Sequence, residues 1–170
     1  MFSKKLAEMN RFFAIAAAIL MLSGCAALRM TPEQEARQKQ LVEEKIQNRQ
    51  FTISIDRMLP MRGAARNIQG YSLQLDGNRL ISYLPYFGVA YDAPYGGGKG
   101  LNFEADIMEY SDTMDKDGHV IQLLVDNEED VYLYSITIFD NGSSSVYVKG
   151  RKREQISFTG RLETPELYAK

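Results

Sequence analysis

Side chains able to act as catalysts or metal ligands are few in this 170-residue sequence. His119 is the single histidine, so neither a multi-histidine metal site nor a Ser-His-Asp triad with an alternative base can be built. It follows Gly118 at the exit of a predicted turn, where we expect an exposed side chain. Asp112, Asp115 and Asp117 alternate around that turn like a loose calcium loop, but the glycine and glutamate spacings of such a loop are missing. We therefore predict solvated turn acids, with no catalytic residue and no metal site.

The glycine run at residues 96–98 invites a phosphate-loop interpretation, because backbone amides in such runs can bind phosphates. The spacing contradicts that interpretation. A Walker loop would need glycine in place of Ala93 and Ser or Thr in place of Gly100. A dinucleotide fingerprint starting at Gly96 would need glycine in place of Leu101. We therefore predict no nucleotide and no other cofactor.

The most unusual stretch runs from Tyr83 to Phe103, where six of 21 positions are aromatic. Two prolines and five glycines exclude a regular strand or helix through most of it. Loops of this length in compact domains are usually functional or disordered, and the aromatic content argues against disorder. We therefore predict a long ordered loop at residues 83–103.

Two interpretations of this loop stay open. Its tyrosines could cover one end of a barrel, as in an Ω-like loop with glycines at positive φ. Alternatively it is a binding lip, because aromatic faces with polar tips suit a sugar, a peptide or a small amphipathic ligand. Asp92 could supply a catalytic carboxylate, although a hydrogen bond to its own turn is the simpler role. The candidate binding residues are Tyr86, Phe87, Tyr91, Asp92 and Tyr95.

Strands must position this loop, because apolar and polar residues alternate with a period of two from Phe51 onward. Asp76-Gly77 separates two such segments, which is a strong hairpin signal. After the loop, strands are predicted from Ile107 onward, and turns recur about every ten to twelve residues. We predict an all-β domain, an antiparallel meander of about eight strands curled into a barrel or half-barrel.

One polar helix should precede the β domain. Thr31 is placed as the N-cap, Pro32 as the first helical residue, and Gln34 closes a capping box. The helix is predicted to end near Asn48. Because its apolar stripe is narrow, we expect it to lie on the domain or extend from it. That stripe consists of Ala36, Leu41, Val42 and Ile46.

Four basic residues cluster near the last predicted turn. The simplest interpretation is a solvated hairpin tip, and the alternative is contact with lipid head groups or a partner. The cluster consists of Lys149, Arg151, Lys152 and Arg153.

The N-terminus has the parts of an export signal. A basic front precedes an apolar core at residues 12–22 that is too short to span a bilayer. Leu22-Ser23-Gly24-Cys25 then resembles the lipobox of bacterial lipoproteins, in which the cysteine thiol takes a diacylglycerol. Because Cys25 is the single cysteine, no disulfide is predicted within the mature chain. The predicted segments are a signal at 1–24, a lipid-anchored tether and helix at 25–49, a β domain at 50–163 and a tail at 164–170.

The net charge of the mature chain and the residue that follows Cys25 limit which partners and which membrane are expected. The signal holds three of the 20 basic and one of the 22 acidic residues, so the mature chain has 17 against 21, a formal charge of −4. That balance disfavours nucleic acid. Under the general lipoprotein sorting rule, Ala26 after the cysteine implies the outer membrane, and the lack of an acidic cluster favours its periplasmic face. The expected partners are the membrane, through the lipid on Cys25, and a small ligand, a glycan or an envelope protein.

The loop motifs are similar to the signature of a known family, domain of unknown function 4251. They are Leu84-Pro85-Tyr86-Phe87-Gly88, Ala93-Pro94-Tyr95-Gly96-Gly97-Gly98 and Gly100-Leu101-Asn102-Phe103. The resemblance covers roughly residues 33–162. It implies a lipoprotein of Bacteroides-group bacteria with a helical lead and a β domain, and no assigned activity or catalytic residues. Val89 and Lys99 depart from the family's usual charges, which puts only the loop's surface charge in question.

These features predict a lipid-anchored, non-enzymatic envelope protein that binds a partner through the aromatic loop. The alternatives are an envelope hydrolase with an unrecognised carboxylate site and a purely structural lipoprotein. Exposure of Tyr86, Tyr91 and Tyr95 on one concave surface would favour binding. Burial of all three would favour a structural loop.

Overall fold

The structure, a computed structural model, describes residues 30–91, 98–116 and 118–167. By internal contacts the chain divides into two units, Met1–Glu33 and Gln34–Lys170. The second unit contains a closed barrel of eight antiparallel strands in sequence order. This confirms the predicted meander and shows that it closes fully.

The elements follow one another along the chain, and each strand pairs with the next. The eighth strand also pairs with the first, which closes the barrel and leaves each of these strands paired on both sides. The elements are α1 (Pro32–Gln47), β1 (Gln50–Pro60), β2 (Arg66–Asp76), β3 (Arg79–Leu84), β4 (Leu101–Asp115), β5 (Gly118–Asp126), β6 (Val131–Phe139), β7 (Ser143–Gly150), β8 (Ile156–Leu162) and a final 3-10 helix (Pro165–Leu167).

The up-and-down order gives the barrel two ends. The α1–β1, β2–β3, β4–β5 and β6–β7 connections share one end, which we call the helix end because α1 packs there. The β1–β2, β3–β4, β5–β6 and β7–β8 connections share the other, which we call the loop end. Asp76 pairs with Arg79, so the hairpin predicted at Asp76-Gly77 is confirmed with a two-residue turn.

Aliphatic and aromatic side chains fill the barrel interior. Inward positions alternate along the strands, and Ile53, Leu73, Ile121, Tyr134 and Phe158 are among the fully buried residues. Each such burial contributes about 1.5–3 kcal/mol. An eight-stranded barrel is just wide enough for side chains to fill it.

Tyr134 places a polar group inside this core. Its hydroxyl donates to Ser82 Oγ at 3.0 Å, and Ser82 Oγ donates to the Leu101 carbonyl at 2.7 Å. Burial raises the pKa of the Tyr134 phenol well above its ordinary value. The phenol therefore stays protonated and keeps its role as a donor.

A narrow apolar stripe of α1 packs against the helix end of the barrel. Val42 and Ile46 are buried in the same hydrophobic cluster as the barrel core, while most of the helix is exposed, including Ala36. The prediction of a helix lying on the domain is confirmed. Gln38, which the apolar pattern did not single out, is also buried and accepts a hydrogen bond from Thr164 Oγ1 at 3.3 Å. In the described part of the chain, no helix is long and apolar enough to cross a membrane.

The predicted bounds of the long loop were wrong at both sides. β3 extends to Leu84, and β4 begins at Leu101, six residues before the predicted strand start at Ile107. Leu101 and Phe103 point inward and Asn102 outward, and Leu101 pairs with Leu84. This short alternation directly follows the glycine-rich run, so in the sequence it was assigned to the loop. The connection is therefore residues 85–100.

Candidate functional site

Part of the β3–β4 connection folds back on the loop end and pairs with the β7–β8 connection. Ala90 forms an antiparallel bridge with Arg153. The Tyr91 amide donates to the Lys152 carbonyl at 2.8 Å, and the Glu154 amide donates to the Val89 carbonyl at 3.0 Å. These bonds fix the backbone of residues 89–91. Asp92 and Tyr95 lie outside the described residues, as does Cys25.

Tyr86 anchors this segment to the barrel. Its ring is half-buried and packs against the hydrophobic core. Its hydroxyl donates a hydrogen bond shared between the Glu154 carbonyl at 3.0 Å and the Val89 carbonyl at 3.1 Å. Arg153 Cζ lies 5.3 Å from the ring centroid. Burial is the main reason that the pKa of Tyr86 is raised. Because the ring packs against the core and its hydroxyl hydrogen-bonds to two carbonyls, Tyr86 has a structural role.

Other rings near this segment face solvent. Phe87 is 49% exposed and Tyr91 is 69% exposed, and Tyr83 at the end of β3 is also exposed. Arg66 Cζ lies 4.9 Å from the Phe87 ring centroid, which places a cation beside that ring. We call Tyr83, Phe87 and Tyr91 the aromatic rim. Large exposed rings on a fixed backbone are the feature expected of a recognition surface.

Two glutamates hold the two flanks of the β3–β4 connection. Glu154 is buried, and its Oε2 accepts a hydrogen bond from the Val89 amide at 3.2 Å. Its Oε1 lies 3.1 Å from Arg62 Nη2, an ion-pair distance without a hydrogen bond. Glu129 accepts the Lys99 amide with both oxygens, at 2.9 and 3.2 Å. Arg153 Nη2 lies 4.0 Å from Glu129 Oε2 and so faces this second carboxylate.

Asp130 organises the β5–β6 and β7–β8 connections. Its buried carboxylate accepts hydrogen bonds from the amides of Val131 at 2.8 Å, Arg151 at 3.1 Å and Lys152 at 3.1 Å. A Cβ at Gly150 would lie 2.5 Å from Asp130 Oδ2, so only glycine fits there without a shift. The carboxylate therefore stabilises the backbone of residues 151–152, and the Lys152 carbonyl there accepts the Tyr91 amide.

The sequence did not single out these anchoring acids. Asn127 Oδ1 accepts the amides of Glu129 at 3.0 Å and Asp130 at 2.9 Å, the turn role typical of asparagine. That Asx signal was available in the sequence. The partners of Asp130 and Glu154 were not, because they come from connections distant along the chain.

The prediction of a solvated basic hairpin tip was wrong for Arg153. Its side chain is buried, with the residue 7% exposed, because it lies over Tyr86 and faces Glu129. Lys149, Arg151 and Lys152 are exposed as predicted. The cluster therefore divides into one anchoring arginine and three surface cations.

The prediction of an exposed His119 was also wrong. The residue is only 8% exposed, and its Nδ1 lies 3.0 and 3.1 Å from the carboxylate oxygens of Asp112. β5 begins at Gly118, so His119 is a strand residue paired with Ile138 rather than a turn residue. Asp112 and Asp115 lie on β4, and Asp117 lies outside the described residues. Within the described ranges, no group of three or more His, Cys, Asp or Glu side chains could hold a metal ion.

Other surface hollows among the described residues hold at most one aromatic ring each: Phe139 with Lys116 in one of about 420 Å³, and Tyr110 in one of about 140 Å³. A hollow of about 370 Å³ lies beside α1 and is lined by Lys45, Gln50, Phe51 and Asp76, among others. Another of about 550 Å³ lies beside Asp56 and Arg161. Both are open and contain no exposed aromatic ring. The aromatic rim is therefore the strongest candidate site among the described residues.

Tyr86→Ala and Tyr91→Ala should separate the anchoring ring from an exposed one. Tyr86→Ala removes a half-buried ring and its hydrogen bond, so we expect a loss of about 2–3 kcal/mol in the free energy of unfolding. Tyr91→Ala should stay within about 0.5 kcal/mol of the parent. Urea midpoints of both variants measure the difference. A large loss for Tyr91→Ala would contradict its assignment to the rim.

Comparison with known proteins places this barrel in a family. The family model "Domain of unknown function (DUF4251)" matches residues 33–162. The crystal structure of a DUF4251 family protein from Bacteroides eggerthii is similar, with a TM-score of 0.57 and 12% identity over 78% of this chain and 93% of that chain. At that identity the likeness shows the fold alone. A search of curated proteins gave no match. The match over residues 33–162 confirms the resemblance of the loop motifs, and the chain belongs to the DUF4251 family.

Proposed function

We propose that the protein is a lipid-anchored, non-enzymatic binding module of the cell envelope, attached to the outer membrane and facing the periplasm. It recognises its partner through the aromatic rim. The observation that carries this proposal is the exposure of Phe87 and Tyr91, 49% and 69%, next to backbone that is pinned to the β7–β8 connection. A ring held this way loses little conformational freedom when it binds, which lowers the entropic cost of binding.

The packing of the barrel supports surface recognition. The interior is filled by its own side chains, so a ligand enclosed in the barrel would have to displace core residues. The rim, in contrast, is already exposed. A polymer or another macromolecule can contact such an outward surface more fully than a small molecule can, because small-molecule sites are usually concave.

The hydrogen bonds that the carboxylates near the loop accept favour a binding function over the hydrolase alternative. Among the described residues, Glu129, Asp130 and Glu154 are acids that contact the backbone around the loop, and each accepts backbone amide hydrogen bonds. A carboxylate with this role is tied to the fold and is a poor choice for a proton donor to a substrate. The proposal therefore assigns these acids to positioning the rim.

A binding assay with the full chain in detergent tests the proposal. The polysaccharide and protein fractions of the cell envelope are immobilised separately, and saturable binding to at least one is expected. The double variant Phe87→Ala/Tyr91→Ala should bind at least about tenfold more weakly, while Met114→Ala, an exposed residue on β4 near the helix end, should bind like the parent. Absence of saturable binding, or an equal loss in Met114→Ala, would contradict the proposal.

The anchor is tested separately, at Cys25. Cys25→Ser removes the thiol that accepts the lipid, so we expect no acylation and an accumulation of unprocessed precursor. Metabolic labelling with a fatty acid, followed by gel analysis of the chain, measures both effects. Label that persists on the Cys25→Ser protein would refute the lipoprotein assignment without bearing on the rim.

A further inference from the structure

The loop end carries an excess of exposed positive charge on an otherwise acidic chain, whose formal charge is −2. Among the described residues of this end, the exposed acids are Asp126 and Glu128. The exposed cations outnumber them and surround the rim's connections. They are Arg62, Arg66, Lys99, Lys149, Arg151 and Lys152. The surface next to the aromatic rim therefore attracts anions although the whole molecule does not.

The anchoring acids reduce this excess without removing it, because with Arg153 included seven described cations of this end stand against five acids, Asp126, Glu128, Glu129, Asp130 and Glu154. Asp130 and Glu154 are buried, and Glu129 is partly buried. Their oxygens are directed at backbone amides of the loop end rather than at solvent. Arg62 lies within ion-pair distance of Glu154, yet its side chain is 75% exposed. Its guanidinium can therefore reach a ligand, because an arginine has five donors and one contact leaves others available.

One guanidinium group lies beside an exposed ring, and a second lies at the same end of the barrel. Arg66 is exposed, and its Cζ lies 4.9 Å from the Phe87 ring centroid. Arg62 belongs to the neighbouring β1–β2 connection, at the same end of the barrel. A guanidinium binds a carboxylate or phosphate with two parallel hydrogen bonds, and an aromatic face packs against an apolar flat surface. A ligand that repeats flat rings and negative charges matches both features.

We propose that the rim binds an acidic polysaccharide, with sugar rings on Phe87 and Tyr91 and sugar carboxylates or phosphates on Arg62 and Arg66. This inference rests on the proposed function and names its substrate class. Single-stranded nucleic acid also repeats flat rings and charges. It is the less favoured occupant, because its binding is dominated by phosphate charge and the chain as a whole is acidic.

The test compares two polymers with the same sugar backbone, one with free carboxylates and one with uncharged methyl esters, using the full chain in detergent. Polygalacturonate is the acidic probe, and its fully methyl-esterified form is the neutral counterpart. At low salt, the acidic polymer should bind at least about tenfold more tightly, and added salt should reduce the difference. The double variant Arg62→Gln/Arg66→Gln should lose about tenfold in affinity for the acidic polymer.

A second double variant makes the same change in charge away from the rim. Lys39 on α1 and Arg79 at the start of β3 are both exposed and lie toward the helix end. Lys39→Gln/Arg79→Gln should bind polygalacturonate within about twofold of the parent, because the two cations are remote from the rim. Melting temperatures of both double variants check that each is folded. An equal loss of affinity in the two would overturn the inference.

The remaining outcomes separate the inference from the proposed function. Equal binding of the two polymers, still lost in Phe87→Ala/Tyr91→Ala, would overturn the acidic class and leave the rim as a binding surface. Tighter binding of oligothymidylate than of polygalacturonate would replace the polysaccharide by nucleic acid. Binding to an envelope fraction but to neither polymer would also overturn the inference. Binding to no probe and no fraction would reject the proposed function itself.

Discussion

Asp130→Ala is expected to lower the free energy of unfolding by about 2–4 kcal/mol. The change removes a buried carboxylate that accepts from three part-buried amides. Those of Val131 and Lys152 lose this acceptor, while the Arg151 amide keeps the Val131 carbonyl at 3.2 Å. Each buried donor left unsatisfied costs about 1–3 kcal/mol, and water entering the space recovers part of that cost. Urea unfolding followed by circular dichroism measures the loss.

The neighbouring Glu128 supplies the matched control for Asp130. It is an exposed acid in the same connection, so Glu128→Gln should change stability by less than about 0.5 kcal/mol. Hydrogen exchange adds a readout specific to the site. Because Asp130 holds the backbone that pairs with Tyr91, the Tyr91 amide should exchange faster in Asp130→Ala than global unfolding predicts. A loss below about 1 kcal/mol, or unchanged local exchange, would remove Asp130 from its positioning role.

Gly160→Ala is expected to cost about 3 kcal/mol or more, at the seam where β8 meets β1. Gly160 pairs with Ile55, next to a register irregularity in β1. A Cβ at this position would lie 2.2 Å from the Ser54 carbonyl oxygen and 3.1 Å from Ile55 Cα. Overpacking of a tight site typically costs about 1–3 kcal/mol, and here the opposing atoms are backbone and cannot rotate away.

Thermal and urea unfolding of Gly160→Ala test whether close approach is what closes the barrel. Ser157→Ala, a half-buried position on the same strand, controls for alanine in β8 and should stay within about 1 kcal/mol of the parent. If Gly160→Ala is as stable as Ser157→Ala, the seam tolerates a side chain. The close contact between β1 and β8 would then need another explanation.

Secondary structure was largely predictable because its signals are local. The period-two alternation from Phe51 onward, with turn residues between segments, was sufficient to predict an eight-stranded antiparallel meander. Pro32 and the narrow stripe containing Val42 and Ile46 likewise predicted a helix resting on the domain. Each of these patterns depends on residues within one element, where spacing alone decides which side chains share a face.

Closure of the barrel needed the tertiary structure, because β1 and β8 are about a hundred residues apart along the chain. The pattern in each strand would be the same in an open half-barrel. The early start of β4 was missed for a related reason. That Leu101 belongs to a strand and faces inward is clear only from its pairing with Leu84, on the other side of the β3–β4 connection.

For the candidate site too, some features were predictable from the sequence and others required the tertiary structure. Composition alone identified residues 83–103 as unusual and marked Tyr86, Phe87 and Tyr91 as candidates. Only the tertiary structure shows that Tyr86 anchors the segment while Phe87 and Tyr91 face solvent. The Tyr86 hydroxyl donates to the carbonyl of Glu154, which is 68 residues away along the chain. The burial of Arg153 likewise depends on a long-range contact, with the Tyr86 ring. A sequence determines which side chains are present in a loop, but contacts between distant segments determine which of them are left exposed to bind a partner.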